Sequence, residues 1–340
     1  MRKICLFLLF ITVTSCAYGQ VKYKTIPFPA GISSVNEEFS GMALWNNRVY
    51  LEPQYGDHKE TKLDGDFNIY SIAADSINRV ITGKDAALSA YRTLKVLNLD
   101  KLPDSVKKYY EGFEAITFTK NQVYLSIETN DKYDYCFLLK GSVDTVNNQI
   151  RIDPNNFETL KRPLYIENAG FESVTYLPKE NKLLAMYEFN AAAKGNTGFL
   201  IDTAFKHQPE KIETPFIYFR ITDITANKND EIYGINYFYN GDYNSYLDNG
   251  TVSKPEANIK KTIPSLRDSL NKNPDYLKHN TFARIVMRHN YKDQQWKQVA
   301  TFDGYKNNWE GLTLFNKGAL IVTDANRSSK QVSILAYIEF

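Results

Sequence analysis

The order of apolar and polar residues along the chain repeats five times. Each copy has a bulky apolar residue, an oxygen-bearing polar residue, usually a small residue, an aliphatic residue, and then Thr or Ala. The copies are residues 39–44, 112–118, 170–176, 221–226 and 308–314. Repeats at such intervals are typical of folds that are built from one supersecondary unit used several times.

A turn and a second strand-like run follow each copy. The turns are rich in Asn, Asp, Gly and Pro, which are the residues that tight hairpin turns require. The second runs are residues 48–52, 123–128, 183–188, 231–236 and 319–324. Each repeat therefore predicts the first two strands of an antiparallel sheet.

The spacing of the copies predicts the architecture. The polar residue of the repeat stands at positions 40, 114, 172, 222 and 310, and the steps of 74, 58, 50 and 88 residues fit one four-stranded propeller blade of ~40–50 residues each plus insertions. Further strands are expected near residues 67–72 and 94–99, with a helix near 264–270 and a hairpin within 283–302. The sequence predicts an all-β, five-bladed β-propeller. Six blades, or two unrelated β-sandwiches, are the alternatives.

The two ends of the chain predict how the ring closes. The last repeat leaves room for only three strands, which end within residues 332–338. The strand-like run at residues 21–26 precedes the first repeat and has no partner of its own. An N-terminal strand that completes the last blade removes an exposed sheet edge.

The first nineteen residues have the pattern of an export signal. Arg2 and Lys3 precede an apolar run over residues 4–13, and small residues follow. This run is shorter than the ~20 residues that a transmembrane helix needs. We therefore expect a signal peptide at 1–19 and a single secreted or periplasmic domain at 20–340, with no transmembrane segment. The segment 13–16 resembles a lipobox, so lipoprotein anchoring at Cys16 is the alternative.

Composition excludes several classes of protein. The chain has 41 Lys+Arg and 39 Asp+Glu, and the predicted signal contains two of the basic residues, so the remainder is neutral. A neutral domain argues against a nucleic-acid binder, which needs a basic surplus. Cys136 is the only cysteine beyond residue 19, which excludes an internal disulfide there. No Gly-Lys-Ser/Thr loop or Gly-x-Ser-x-Gly elbow occurs, which speaks against P-loop and serine-hydrolase chemistry.

The repeated polar position predicts a metal site. The first strand of each propeller blade lines the central channel, so Ser40, Glu114, Glu172, Thr222 and Glu310 are expected to converge on one axis. Converging buried carboxylates repel one another and have raised pKa values unless a cation lies among them. Hard oxygen ligands favour Ca²⁺ over Zn²⁺. The alternative is that these side chains bond to the backbone of neighbouring strands.

This ring of two hydroxyls and three glutamates resembles that of the calcium-activated nucleotidase (apyrase) family. The resemblance implies a secreted five-bladed propeller with Ca²⁺ in its channel, and Ser40, Glu114, Glu172, Thr222 and Glu310 match the family's ligands in order, with Thr222 in place of a Ser. The repeated phrases are also similar to those of phytase-like esterase propellers.

A second set of polar residues ends the second strands. These residues are Glu52, Glu128, Glu188, Asn236 and Asp324, and they are expected on the same face as the first set. Basic residues in the adjoining loops are expected to bind an anionic, phosphorylated small molecule, and the four assigned to this role are Arg162, Arg220, Arg327 and Lys330. Glu128 or Asp324 would act as a general base beside the metal.

Three functions remain open at this point. The first is a Ca²⁺-dependent hydrolase of phosphate esters or anhydrides such as nucleotides. The second is a non-catalytic propeller with a structural Ca²⁺ and a protein or glycan partner at its mouth. The third is a lactonase-like or esterase propeller. The fold alone does not decide among them.

Overall fold

A computed structural model describes residues 21–34, 37–56, 63, 67–130, 133–164, 166, 169–191, 196–244, 255–302, 307–325 and 333–340. These residues contain twenty strands and a few short helices. The all-β class predicted from the sequence is therefore confirmed. The predicted signal peptide with Cys16 lies outside the described residues, and so do Arg327 and Lys330, which were predicted to bind the substrate.

The strands form five antiparallel groups of four, here called units 1 to 5. Unit 1 contains β2 (Phe39–Trp45), β3 (Arg48–Pro53), β4 (Phe67–Ala73) and β5 (Arg92–Leu97). Unit 2 contains β6 (Tyr110–Phe118), β7 (Gln122–Thr129), β8 (Tyr135–Asp144) and β9 (Gln149–Lys161). Unit 3 contains β10 (Ser173–Leu177), β11 (Lys182–Met186), β12 (Thr197–Asp202) and β13 (Glu210–Glu213).

Units 4 and 5 complete the set. Unit 4 contains β14 (Arg220–Ala226), β15 (Ile232–Phe238), β16 (Phe282–Arg288) and β17 (Lys297–Thr301). Unit 5 contains β18 (Asn308–Phe315), β19 (Gly318–Asp324), β20 (Leu335–Glu339) and the N-terminal strand β1 (Lys24–Ile26).

The first strands of the units lie side by side in a closed order. Strand β2 contacts β6, β6 contacts β10, β10 contacts β14, β14 contacts β18, and β18 contacts β2 again. A closed ring of inner strands, each leading outward into an antiparallel sheet, is the arrangement of a β-propeller. The propeller fold expected from the repeat is confirmed.

Units 1 and 2 are joined at their outer edges. Strand β9 has 13 residues, and its first residues pair in parallel with β5, with Lys95 opposite Gln149 and Leu97 opposite Arg151. The two units therefore form one eight-stranded sheet. This pairing covers the outer edges of both units, which leaves fewer unpaired backbone groups exposed.

Asparagine makes the tight turns of the hairpins. Asn46 and Asn47 join β2 to β3 with φ values of 46° and 58°, while Asn181 and Asn316 turn with φ of 50° and 51°. Asn tolerates this left-handed conformation better than most residues, and two successive residues with positive φ match the right-handed twist of the strands. The asparagines in the sequence therefore set where the first hairpins of units 1, 3 and 5 reverse.

The N-terminal strand completes unit 5. Ile26 of β1 pairs with Leu335 of β20, which is the closure that the sequence predicted. The Lys24 Nζ atom donates to the carbonyl oxygens of Val80 and Ile81, each at 2.7 Å. A lysine at the end of a helix satisfies carbonyls that have no partner within the helix.

Replacing Ile26 by Ala is expected to lower the free energy of unfolding by about 3 kcal/mol, because the side chain is fully buried and the cavity would not refill. Thr25→Ala is the matched control, since its side chain on the same strand is exposed and its loss should cost less than ~0.5 kcal/mol. Urea unfolding measures both. Equal effects of the two substitutions would mean that β1 does not hold the ring closed.

The helices lie in the connections between strands. Helix α1 (Ala74–Ile81) links β4 to β5, and α2 (Asp104–Tyr109) leads into β6. Helices α3 (Pro255–Thr262), α4 (Pro264–Lys272) and α5 (Tyr276–His279) occupy the connection from β15 to β16. Their buried residues pack against Phe219, Phe238 and Phe282. Among the described helices, none has the length and apolar character needed to span a membrane.

Candidate metal centre

In four units the repeated polar residue is the extra residue of a β-bulge. The pairing of the first two strands shifts register at Ser40, Glu114, Thr222 and Glu310, so that none of these residues has a partner on the second strand. In unit 3, Glu172 directly precedes β10. A bulge redirects the extra side chain and is frequent beside functional sites. The four bulged positions are therefore equivalent in structure as well as in sequence, and Glu172 lies immediately before the first strand of its unit.

The ends of the second strands lie beside these bulges. Glu52 is opposite Gly41, Glu128 is opposite Gly112, and Asp324 is opposite Asn308. Asn236 is opposite Ile221, next to the bulge at Thr222. In each of these units the two predicted sets of polar residues share one end of the sheet.

Three of these carboxylates come together. One carboxylate oxygen from each of Glu114, Glu128 and Glu172 lies within 4.8 Å of the others. The three residues are 6%, 2% and 4% exposed. Within the part of the chain that the structure describes, Glu128 Oε1 and Glu172 Oε2 have no hydrogen-bond partner. Buried polar atoms without partners are rare, and each one needs a ligand, a proton or a solvent molecule.

Burial raises the pKa values of the whole cluster. The pKa of Glu128 rises to about 8, first through burial and then through the nearby charges of Glu188 and Glu111. Burial also raises the pKa of Glu310 to about 8. The pKa values of Glu114 and Glu172 lie well above 4.5 because both are buried, with Glu128 acting on Glu114 and Glu188 acting on Glu172. Without a cation among them, these raised pKa values favour the protonated carboxyls over the ionised ones.

Arg220 is the cation inside this cluster. Its side chain is 12% exposed, Nη2 donates to Glu172 Oε1 at 3.3 Å, and Nε donates to Glu188 Oε2. Its positive charge lowers the pKa of Glu310 as well. Arg162 also lowers the pKa of Glu128. The two guanidinium groups offset part of the charge of the five glutamates, and an ionised cluster would keep a negative excess; the five are Glu114, Glu128, Glu172, Glu188 and Glu310.

The two hydroxyls of the first set bond across to the next unit. Ser40 Oγ donates to the carbonyl oxygen of Phe113 at 2.6 Å, and Thr222 Oγ1 donates to that of Trp309 at 2.7 Å. Bonding to the backbone of a neighbouring strand was the alternative to metal binding that the sequence analysis gave for these residues. The two hydrogen bonds connect adjacent inner strands. A hydroxyl oxygen that donates still has lone pairs, so a ligand role for Ser40 and Thr222 stays a prediction.

The remaining predicted site residues lie close by. Asp324 is buried near Glu310 and raises its pKa, and its Oδ2 atom accepts from Asn308 Nδ2 at 3.4 Å. Arg162 is also buried, and its Nη2 atom donates to the carbonyl oxygens of Asn130, at 3.0 Å, and Tyr133. Arg162 and Arg220 thus use these N–H groups to bind other groups of the protein, and the same N–H groups do not point into solvent at the channel mouth.

The sequence analysis did not identify Asp223, which lies near Glu52 of the second set. The Asp223 carboxylate accepts from the backbone amides of Ile224 and Leu312, each at 2.7 Å, and so joins units 4 and 5. Glu52 is 0% exposed, and neither of its carboxylate oxygens has a hydrogen-bond partner among the described residues. Burial raises the pKa of Glu52 well above 4.5, and Asp223 adds to this.

One signal in the sequence marks Asp223. The position after the repeated polar residue is Gly41, Ala115, Ser173 or Gly311 in the other copies, and an acid there breaks the pattern. Gln54 gives no such signal, although its Nε2 atom donates to Glu114 Oε1 at 2.9 Å. It lies beyond the end of β3, outside both repeated runs.

The raised pKa values predict how stability depends on pH in the absence of metal. Glu128 and Glu310 titrate near 8 in the folded protein and near 4.5 when exposed, so the folded state holds more protons between these values. Stability is therefore highest below the unfolded pKa and is lost as pH rises through the folded pKa. We expect the Tm of EDTA-treated protein to fall from about pH 5 to about pH 9. A flat or rising profile would contradict the burial of ionisable carboxyls here.

No family model and no curated protein sequence matches the chain. Its structure is similar to that of CoXyl43, a GH43 beta-xylosidase/alpha-arabinofuranosidase from a compost microbial metagenome, in a calcium-free complex with xylotriose: identity is 10%, the TM-score is 0.50, and 93% of this chain and 95% of that chain are covered.

Two further solved structures are similar over most of their length. A GH43_1 enzyme from Xanthomonas citri has 10% identity and a TM-score of 0.48, covering 93% of this chain and 90% of that one. A glucose dehydrogenase has 8% identity and a TM-score of 0.44, covering 89% and 97%. At such identities, likeness to solved structures shows the fold alone, and that fold is a β-propeller.

Proposed function

We propose that the chain is an exported five-bladed propeller that binds Ca²⁺ in its channel and hydrolyses a substrate at the channel mouth. The observation that carries the proposal is the cluster of Glu114, Glu128 and Glu172, whose buried oxygens approach within 4.8 Å and include two without partners. Each of the five units is counted as one blade. Residues 1–19 serve as the export signal and are cleaved off after Gly19, and the alternative is a lipoprotein acylated at Cys16.

The donor set suits calcium. All the candidate ligands are hard oxygens, and Ca²⁺ takes 6–8 of them at about 2.3–2.6 Å in irregular geometry. Glu114, Glu128 and Glu172 would supply the first ligands, and Ser40, Thr222 and Glu310 are the remaining candidates at equivalent bulges. This set resembles that of the calcium-activated nucleotidases, with Glu128 added.

The chain's own residues support a hydrolytic mechanism. Held by Glu114, Glu128 and Glu172, Ca²⁺ would supply Lewis-acid chemistry, which polarises a substrate oxygen and lowers the pKa of a water. Glu128 Oε1 has no hydrogen-bond partner among the described residues, so this oxygen would take a proton from an attacking water if the other carboxylate oxygen binds the ion. Asp324 beside Glu310 is the second candidate base. Arg220 holds Glu172 and Glu188 in place through its two ion pairs.

The substrate is either a phosphate ester or anhydride, or a glycan. The nucleotidase resemblance favours phosphate, with Arg162, Arg220, Arg327 and Lys330 as the predicted cations, although Arg162 and Arg220 already bind protein groups. Aromatic residues at this end of the sheets favour a glycan: Tyr109 stacks on Tyr133 at 4.3 Å, and Phe216 and Tyr239 are 40% and 48% exposed. Exposed aromatic faces suit the apolar faces of sugar rings.

One substrate panel separates these functions. Nucleoside diphosphates, nitrophenyl phosphate, nitrophenyl glycosides and a nitrophenyl ester are each incubated with the protein in calcium and in EDTA. Calcium-dependent phosphate release that Glu128→Gln abolishes supports the phosphohydrolase, whereas release of sugar supports a glycosidase. Glu210→Gln is the control, because Glu210 is an exposed residue on β13. Calcium-dependent stability without any turnover would support a non-catalytic propeller.

A further inference from the structure

A second cleft opens at the opposite end of the strands from the carboxylate cluster. It lies between units 1 and 2, near their parallel pairing, and has a volume of about 370 Å³. Its lining includes Asn46, Asn47, Arg48, Arg92, Thr145 and Asn148. The volume lies in the range of small-molecule sites, which is about 300–1,000 Å³.

Two arginines face this cleft together. Arg48 is fixed to Ser71, because Nε donates to Ser71 Oγ at 3.0 Å and Nη2 donates to the Ser71 carbonyl oxygen at 2.8 Å. Arg92 starts β5, directly opposite Ser71, and is exposed. Burial lowers the pKa of Arg48, and the charge of Arg92 lowers it further. The two guanidinium groups therefore repel each other across a shared space.

No described carboxylate neutralises this pair. Among the described residues, the titratable groups that shift the pKa of Arg48 are Arg92, which lowers it, and the Tyr50 phenol, which raises it. Asp144 is the acid of the turn beside the cleft, and its carboxylate accepts from the backbone amides of Val146 and Asn147 at 3.1 and 2.9 Å. The positive charge of Arg48 and Arg92 is thus available to bind an anion in the cleft.

The other walls carry hydrogen-bonding groups on rigid turns. Asn46, Asn47 and Asn148 adopt left-handed φ values of 46°, 58° and 52°, and the Asn148 carbonyl oxygen accepts from the Lys95 amide at 3.1 Å. Side-chain amides and the Thr145 hydroxyl both donate and accept, which suits the hydroxyl groups of a polyhydroxylated molecule.

We propose that this cleft binds a small oxyanion, a phosphate or carboxylate carried on a polyhydroxylated molecule such as a sugar phosphate or a sugar acid. The planar guanidinium of Arg92 matches the two oxygens of such an anion, and the Arg48 N–H groups that do not bond to Ser71 add to it. Charge-assisted bonds of this kind are strong. The site lies away from the channel and does not depend on the proposed metal.

The test uses the full chain in a chloride buffer with EDTA, and calorimetry with inorganic phosphate, glucose 6-phosphate, glucuronate and glucose. We expect the two sugar anions to bind at millimolar or lower concentration, more tightly than inorganic phosphate, and glucose not to bind. Arg92→Gln is expected to weaken binding at least about tenfold, because a hydrogen-bonded charge pair is lost. Arg48→Gln should weaken binding by a similar factor. If Arg48→Gln fails to fold, the result with Arg92→Gln decides the test.

Arg151→Gln is the matched control, because Arg151 is an exposed arginine on β9 that does not line the cleft and donates to Gln149 Oε1 at 2.7 Å. It should bind as the wild type does. Equal weakening by Arg151→Gln, equal binding of glucose, or no binding of any anion at millimolar concentrations would overturn the proposal. Tighter binding of glucose 6-phosphate than of glucuronate identifies phosphate as the preferred oxyanion, and the reverse identifies carboxylate.

Discussion

Glu172→Gln is expected to remove most of the gain in stability that calcium gives to the wild-type protein. Glu172 belongs to the central cluster, and its Oε2 atom is buried without a partner among the described residues. A ligand present at about 100 times its Kd stabilises the folded state by about 2.7 kcal/mol. Removing one of three clustered carboxylates should cost most of this gain, because the remaining ligands carry less charge.

The comparison is made by thermal unfolding in calcium and in EDTA. In EDTA at high pH, Glu172→Gln should be at least as stable as the wild type, because the substitution removes one of the mutually repelling carboxylates. Arg220 retains its ion pair with Glu188 in this variant. Glu210→Gln, an exposed change in the same unit, should keep the full calcium response. If the Tm of the wild-type protein is the same in calcium and in EDTA, the metal site is refuted.

Two buried acids, Asp223 and Glu52, are expected to respond to substitution with opposite signs. Asp223→Ala removes the acceptor of two buried amides in units 4 and 5. An unsatisfied buried donor costs about 1–3 kcal/mol, so this variant should lose about 3 kcal/mol or more of unfolding free energy. Urea unfolding measures the loss, and a change near zero would mean that Asp223 does not hold the units together.

Glu52→Met is the counterpart. Glu52 is fully buried, and neither carboxylate oxygen has a partner among the described residues, so the burial of its polar group is uncompensated. An apolar side chain of similar length should leave stability unchanged or raise it by about 1 kcal/mol. A loss as large as that of Asp223→Ala would show that Glu52 makes a stabilising contact with a bound ion or solvent.

The repeat in the sequence predicts the fold well for a physical reason. Inner strands share one environment, so the same apolar and small residues recur, and Asn at the hairpins fixes where each strand reverses. The orphan run at the N-terminus predicts its own partner, because a strand edge must be paired or protected. The parallel pairing of β5 with β9 carries no such signal, since it depends on the length of β9.

The residue types of the site were predictable from the sequence, but which three carboxylates come together was less so. The polar repeat marks Glu114 and Glu172, but Glu128 joins them from the second strand. The bulges make this possible, and the register of a strand pair is not visible in one strand's sequence. The inward ion pairs of Arg220 were equally hidden, because a long side chain near a strand end has room to point outward or inward.

The most direct measurement is a crystal structure of the protein grown in calcium, with anomalous diffraction data to identify the ion. We expect one ion in the channel, about 2.3–2.6 Å from carboxylate oxygens of Glu114, Glu128 and Glu172. Empty density there, with the three carboxylates bonded only to protein groups or solvent at saturating calcium, would contradict it.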